Sequence, residues 1–211
     1  GRVNAAGLAK LADSPEVIAV GTDGTGHAHM TSSIPFINAD DVHSLGYTGD
    51  GITVAVLDSG IDKNHADLSD NIAPGWYHFL GQGSDYGPGA WNATNHGTNV
   101  AGIITSKGVY AGVGVAPDAD ILAIKVINSS NRYYLSDLAA GIDYVVDHQS
   151  DYDNLCVMNM SLGSDDLFSQ CPCDNVDANT ILIHTAIQAA KHSGIVTFAS
   201  SGNDCSCTSM S

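Results

Sequence analysis

The chain has 211 residues, 44% of them hydrophobic and 7% aromatic, enough to enclose one good-sized domain with a small appendage. Acidic residues outnumber basic ones by 23 to 7, and a formal net charge of −16 repels phosphate backbones, which argues against nucleic acid as a partner. No apolar run reaches the length of a bilayer span, and no charged-then-apolar leader follows Gly1, so neither a membrane anchor nor a signal peptide is expected within these residues.

Residues 1–30 differ in character from the rest. Leu8, Leu11 and the alanines around them predict the end of a helix, and 17–20 a short strand. The stretch 21–33, rich in Gly, Thr and His, reads as a linker or processing site. From there strands and helices alternate. The β-branched run 52–57 predicts a strand delivering Asp58 and then Gly60, and 97–106 a helix opening at His96. A strand over 121–127 follows, then an amphipathic helix over 136–149 with Leu138, Ile142, Val145 and Val146 at helical spacing. Leu155–Met160 is a compact apolar strand. A helix over 180–193 carries Ile183, Ile187 and Ala190 on one face, Lys191 and His192 in its last turn and Gly194 as its stop; a further strand covers 195–199. Short apolar strands separated by helices of this length predict an α/β fold, a parallel sheet covered on both faces. Functional residues in such sheets gather at the carboxyl ends of the strands, and Asp58, Ser161 and Asn203 each follow a predicted strand.

Three segments carry chemistry. In VAVLDSGID, 54–62, a buried strand presents Asp58 and Ser59–Gly60 turns the chain sharply away. An acid so placed can accept a histidine Nδ1 hydrogen, fix the ring tautomer and stabilise the imidazolium. In NHGTNVAG, 95–102, His96 opens a helix whose small residues Gly97, Ala101 and Gly102 permit close packing. A helix N-terminus disfavours a positive ring while a neighbouring carboxylate favours it, leaving neutral imidazole able to take a proton. In FASSGND, 198–204, the amide of Asn203 can donate to a developing oxyanion.

In the order Asp–His–Asn these segments resemble the subtilisin-like serine proteases, the subtilases, over nearly the whole chain. The resemblance implies a three-layer α/β sandwich, incomplete at its C-terminal end, with the tail of a propeptide and a processing linker at 1–30 and the catalytic domain at 31–211. It implies Asp58 as triad acid, His96 as triad base and Asn203 as the oxyanion side chain. NMSLG, 159–163, resembles the family's substrate strand, in which the backbone of Ser161, Leu162 and Gly163 pairs with an extended peptide. Ala199, Ser200, Ser201 and Gly202 are then part of the primary specificity pocket. GVGVAPDA, 112–119, resembles the family's turn into its next strand, and LAKLADSPEVIAV, 8–20, the tail of a propeptide that acts as an intramolecular inhibitor until cleaved near 26–33. The expected protein is a secreted, extracellular, monomeric endopeptidase acting on polypeptides, with no cofactor required for its chemistry and no metal ligands assigned.

Several residues depart from the family pattern. Asn99 stands where a second histidine is common, outside the triad. The segment SKGVYAG, 106–112, lacks the longer loop that forms a tight calcium site in some relatives, so a structural calcium is left unassigned. The nucleophile of the family sits in Gly-Thr-Ser-Met-Ala at the start of a long helix, and CTSMS, 207–211, offers Ser209 as a match. Cys207 and Ser211 replace the flanking glycine and alanine, Ser209 follows Asn203 by only six residues (209 − 203), and no helix follows within these residues. The nucleophile is therefore expected beyond them, and these residues alone are expected to be inactive. Cys171, Cys173, Cys205 and Cys207 form two Cys-x-Cys pairs, with Cys156 left over. They read as disulfide formers in an oxidising compartment or as soft-metal ligands, the former being the commoner use of paired cysteines in polar loops. The competing functions are a catalytically inactive peptide-binding homologue and a cysteine-rich metal-binding protein.

Overall fold

The computed structural model describes residues 30–75, 77–80, 87–88, 95–163 and 177–200. Two short helices, α1 (Met30–Phe36) and α2 (Ala39–Ser44), lead into β1 (Thr53–Asp58). Then come β2 (Tyr77–His78), β3 (Gly87–Pro88), α3 (His96–Thr105), β4 (Asp120–Lys125), α4 (Leu135–Asp147), β5 (Leu155–Met160), α5 (Ala178–His192) and β6 (Val196–Ala199). The strands form one sheet in the order β3-β2-β4-β1-β5-β6, in which β3 alone runs antiparallel, to β2.

β1 lies at the centre and is buried at every position, as expected of a strand covered on both faces. Alternation along it divides the interior in two. Ala55 and Leu57 join Leu122, Ile124, Leu138, Ile142, Val145, Ala186 and Ala190 beneath α4 and α5. Val54 and Val56 join Ile121, Ala123 and Ala101 beneath α3. This is the three-layer α/β sandwich of the sequence reading. A Cβ at Gly141 would lie 3.0 Å from Val126 and 3.2 Å from Ile124, so glycine there lets α4 approach the sheet closely.

The differences from the sequence expectations have local causes. The strand expected over 121–127 ends at Lys125 because the N–H groups of Val126 and Ile127 both turn to the Asp58 carbonyl, at 2.8 and 3.1 Å. The helix expected from 180 begins at Ala178, since Asp177 and Thr180 form a reciprocal capping box at its start. Gly194, at φ 80°, supplies its stop. α1 reaches back to Met30, inside the stretch read as a linker, and α2 had no periodic signal over its six residues. Residues 1–29, with the expected propeptide tail, lie outside the described residues.

Candidate active site

Asp58 is the last residue of β1, fully enclosed, at the carboxyl edge of the sheet. Gly60, at φ 89°, turns the chain off that edge, and Ser59 between them donates its N–H to Asp58 Oδ1 at 2.6 Å. Asn95 approaches from the other side in the left-handed region, at φ 63°, a conformation asparagine tolerates better than most side chains. His96 then begins α3. Its Nδ1 lies 2.8 and 2.9 Å from the two Asp58 oxygens. A carboxylate only accepts, so Nδ1 carries a hydrogen, which in the neutral ring leaves the lone pair on Nε2. The His96 side chain is about half-exposed (49%) and the Asp58 side chain fully covered (0%), so the ring connects an enclosed charge to open space.

The packing of α3 against the acid-bearing turn enforces this contact. A Cβ at Gly97 would fall 2.3 Å from the Gly60 carbonyl oxygen and 3.1 Å from both Cβ and Oδ1 of Asp58. The Gly97 N–H donates to Ser59 Oγ at 3.0 Å, and the Asp62 N–H to Thr98 Oγ1 at 2.9 Å. Ala101 is buried as expected, but a Cβ at Gly102 would meet nothing within 4 Å. Of the three small residues, Gly102 therefore has no part in the close approach.

Next to this pair lies a cavity of about 490 Å³ lined by Asn95, His96, Asn99, Val100, Ile103 and Ser161. Ser161, Leu162 and Gly163 continue from β5, with Asn159 Nδ2 donating to Ser161 Oγ at 3.0 Å. Ser200 Oγ donates to the Leu162 carbonyl at 2.9 Å, and Tyr133 Oη to the Gly163 carbonyl at 2.8 Å. Each carbonyl has a second lone pair for another donor. A larger hollow, about 880 Å³, opens beside Gly163 and is bordered by Asn128, Arg132, Tyr133, Tyr134 and Leu182 among others. Ala199 ends β6 on the same edge, and the Ser200 N–H donates to the Met160 carbonyl at 3.2 Å. Ser201, Gly202, Asn203 and Ser209 lie outside the described residues, as do Cys171, Cys173, Cys205 and Cys207; Cys156 has no disulfide partner among the described residues.

The sequence marks Ser59 only as part of the turn and singles out neither Tyr133 nor Asp67, yet all three shape the site. Ser59 binds both the acid and the base's helix. Tyr133 braces the 161–163 segment from across the hollow. Asp67, only 2% exposed, gathers the segment after α3: the N–H groups of Tyr110 and Ala111 reach its Oδ2 at 3.0 and 3.3 Å, and that of Val109 reaches its Oδ1. Burial pushes this carboxyl up, but those donors and the Ser106 hydroxyl outweigh it and hold its pKa below the ordinary value. A carboxylate facing converging N–H hydrogens does not fit a cation there. Among the described residues no group of three or more His, Cys, Asp or Glu side chains is placed to hold a metal ion.

A parallel sheet that presents a buried acid at one strand end to a histidine opening the next helix is an arrangement able to do acid–base chemistry. The chain belongs to the subtilase family, whose model matches residues 49–210. It is 36% identical over 182 residues to the minor extracellular protease Vpr of Bacillus subtilis (strain 168), covering 82% of this chain and 20% of that protein. It is 34% identical over 207 residues to subtilisin E of the same organism, covering 96% of this chain and 48% of that protein. Among solved structures it resembles an S41 psychrophilic protease with a TM-score of 0.62 and 33% identity, over 74% of this chain and 47% of that one. The chain thus spans about half or less of the length of these relatives.

Proposed function

We propose that these residues supply the acid, base and peptide-binding edge of a secreted serine endopeptidase that works through an acyl-enzyme. The carrying observation is the contact of His96 Nδ1 with both oxygens of the enclosed Asp58, at 2.8 and 2.9 Å. In this reading a serine hydroxyl attacks the peptide carbonyl while His96 Nε2 takes its proton and later passes it to the leaving amine. Asp58 keeps the ring in the Nδ1–H tautomer and stabilises the imidazolium. Asn203 and backbone N–H groups hold the oxyanion, a single such donor being worth about 3–4 kcal/mol in the transition state.

The polypeptide lies as an added strand along Ser161, Leu162 and Gly163, with Ala199, Ser200, Ser201 and Gly202 forming part of the pocket for the residue before the cleaved bond. The nucleophile is assigned to a serine other than Ser209, whose neighbours Cys207 and Ser211 and whose spacing from Asn203 do not match the role. Residues 1–30 act as the end of an inhibitory propeptide and processing linker, and the protein works outside the cell, as its relative the minor extracellular protease Vpr does. The test is hydrolysis of quenched fluorescent peptides by the product of the complete reading frame. Cleavage that disappears in His96→Ala supports the reading, and cleavage unchanged by that substitution overturns it.

A further inference from the structure

Lys125 is a charged side chain in a place where charge is costly. It ends β4, is 6% exposed, and forms no ion pair among the described residues. The sheet register sets it directly between Asp58 of β1 and His78 of β2. Paired residues of parallel strands project to the same face, so the row His78–Lys125–Asp58 lies on the side that carries α3. Its ammonium donates to the carbonyl of Ser59. Burial pulls the Lys125 pKa below its ordinary value, with the Asp58 charge pulling it partly back. An apolar residue in the same slot would avoid that cost.

Ser59 connects Lys125 to the acid–base pair. One residue receives the lysine at its carbonyl, gives its N–H to Asp58 Oδ1 at 2.6 Å, and takes the Gly97 N–H on its hydroxyl at 3.0 Å. Fixing the Ser59 carbonyl therefore fixes the peptide plane that precedes Gly60, and with it the acid and the first turn of the helix bearing His96. We propose that Lys125 is a positioning residue, whose hydrogen bond to the Ser59 carbonyl locks the turn that holds Asp58 and His96 in register. It touches neither substrate nor the reacting atoms. The inference rests on the peptidase reading for its functional consequence, but its physical content stands apart from hydrolysis.

The experiment compares wild type, Lys125→Met and Lys125→Arg by amide hydrogen exchange, thermal unfolding and peptide hydrolysis. Met keeps the apolar stem and removes the donor; Arg keeps both donor and charge. In Lys125→Met the Ser59 and Gly97 amides are expected to exchange about tenfold faster, while core amides such as Val145 of α4 keep their protection. The kcat falls at least as far with KM little changed, and Lys125→Arg recovers most of both losses. Unchanged protection at Ser59 and Gly97 in Lys125→Met overturns the proposal, as does an Arg variant no better than Met. Should Lys125→Met fail to fold, the unaltered protein still decides: a scalar coupling across the hydrogen bond from Lys125 Nζ to the Ser59 carbonyl carbon is required, and its absence refutes the proposal. If no form hydrolyses peptide, the peptidase reading fails while the exchange result still judges the lysine.

Discussion

Replacing Gly97 by alanine puts the closest packing of the site under test. The added Cβ would meet the Gly60 carbonyl oxygen at 2.3 Å, with Cβ and Oδ1 of Asp58 both at 3.1 Å. The nearest atom is backbone and the buried Asp58 carboxylate is held by Ser59 and His96, so the first turn of α3 must move away from β1. Restoring ordinary contact takes a shift of about 1 Å. Overpacking of this kind costs about 1–3 kcal/mol, against roughly 1 kcal/mol gained by exchanging a helical glycine for alanine, so a net loss is expected. A displacement near 1 Å between acid and base is expected to lower kcat/KM by about 100-fold. Gly102, five residues on in the same helix (102 − 97), is the internal control, because a Cβ there meets nothing within 4 Å. Gly102→Ala should gain up to about 1 kcal/mol and keep its activity. Urea unfolding and initial-rate assays on both variants decide the matter. A Gly97→Ala protein that is stabilised like Gly102→Ala, with unimpaired kcat/KM, would refute the close-packing argument.

Other outcomes follow from the same geometry. Asp58→Asn leaves the shape intact but lets the amide favour the wrong His96 tautomer, and kcat should drop by about 10⁴ in peptide assays with the thermal midpoint little changed. Asp67→Asn removes a buried acceptor of the 109–111 N–H groups and should cost about 1–3 kcal/mol in urea titrations at neutral pH. Because the Asp67 carboxyl titrates lower folded than unfolded, its stabilisation is complete above its unfolded pKa of about 4 and vanishes as pH falls through the folded value. The stability gap between wild type and Asp67→Asn should therefore narrow in acid, and a constant gap would contradict this origin. Asp177→Ala breaks the capping box of α5 and should cost about 1 kcal/mol, read from the same titrations.

The strands and long helices were legible because burial on both faces writes apolar runs such as VAVL at 54–57, and helical spacing writes Leu138, Ile142 and Val145 onto one side of α4. Asp58 and His96 were legible for a related reason: a polar residue that ends a buried strand or opens a helix stands out against its surroundings. Less of the supporting hardware could be read. The role of Ser59 depends on where its carbonyl and hydroxyl point, which no spacing records. Lys125 is a single charge inside the apolar run 121–127, and only the register against Asp58 gives it meaning. No spacing singles out Asp67, to which the fold returns the 109–111 backbone from 42 to 44 residues away. Gly97 and Gly102 are indistinguishable in sequence, and the turn at Gly60 separates them.

The central claim, that Asp58 and His96 serve a serine nucleophile, is tested most directly by labelling the product of the complete reading frame with a fluorophosphonate and locating the modified serine by mass spectrometry. One serine should be labelled, it should not be Ser209, and labelling should be lost in His96→Ala. Labelling of Ser209, or labelling at an undiminished rate without His96, would contradict the account.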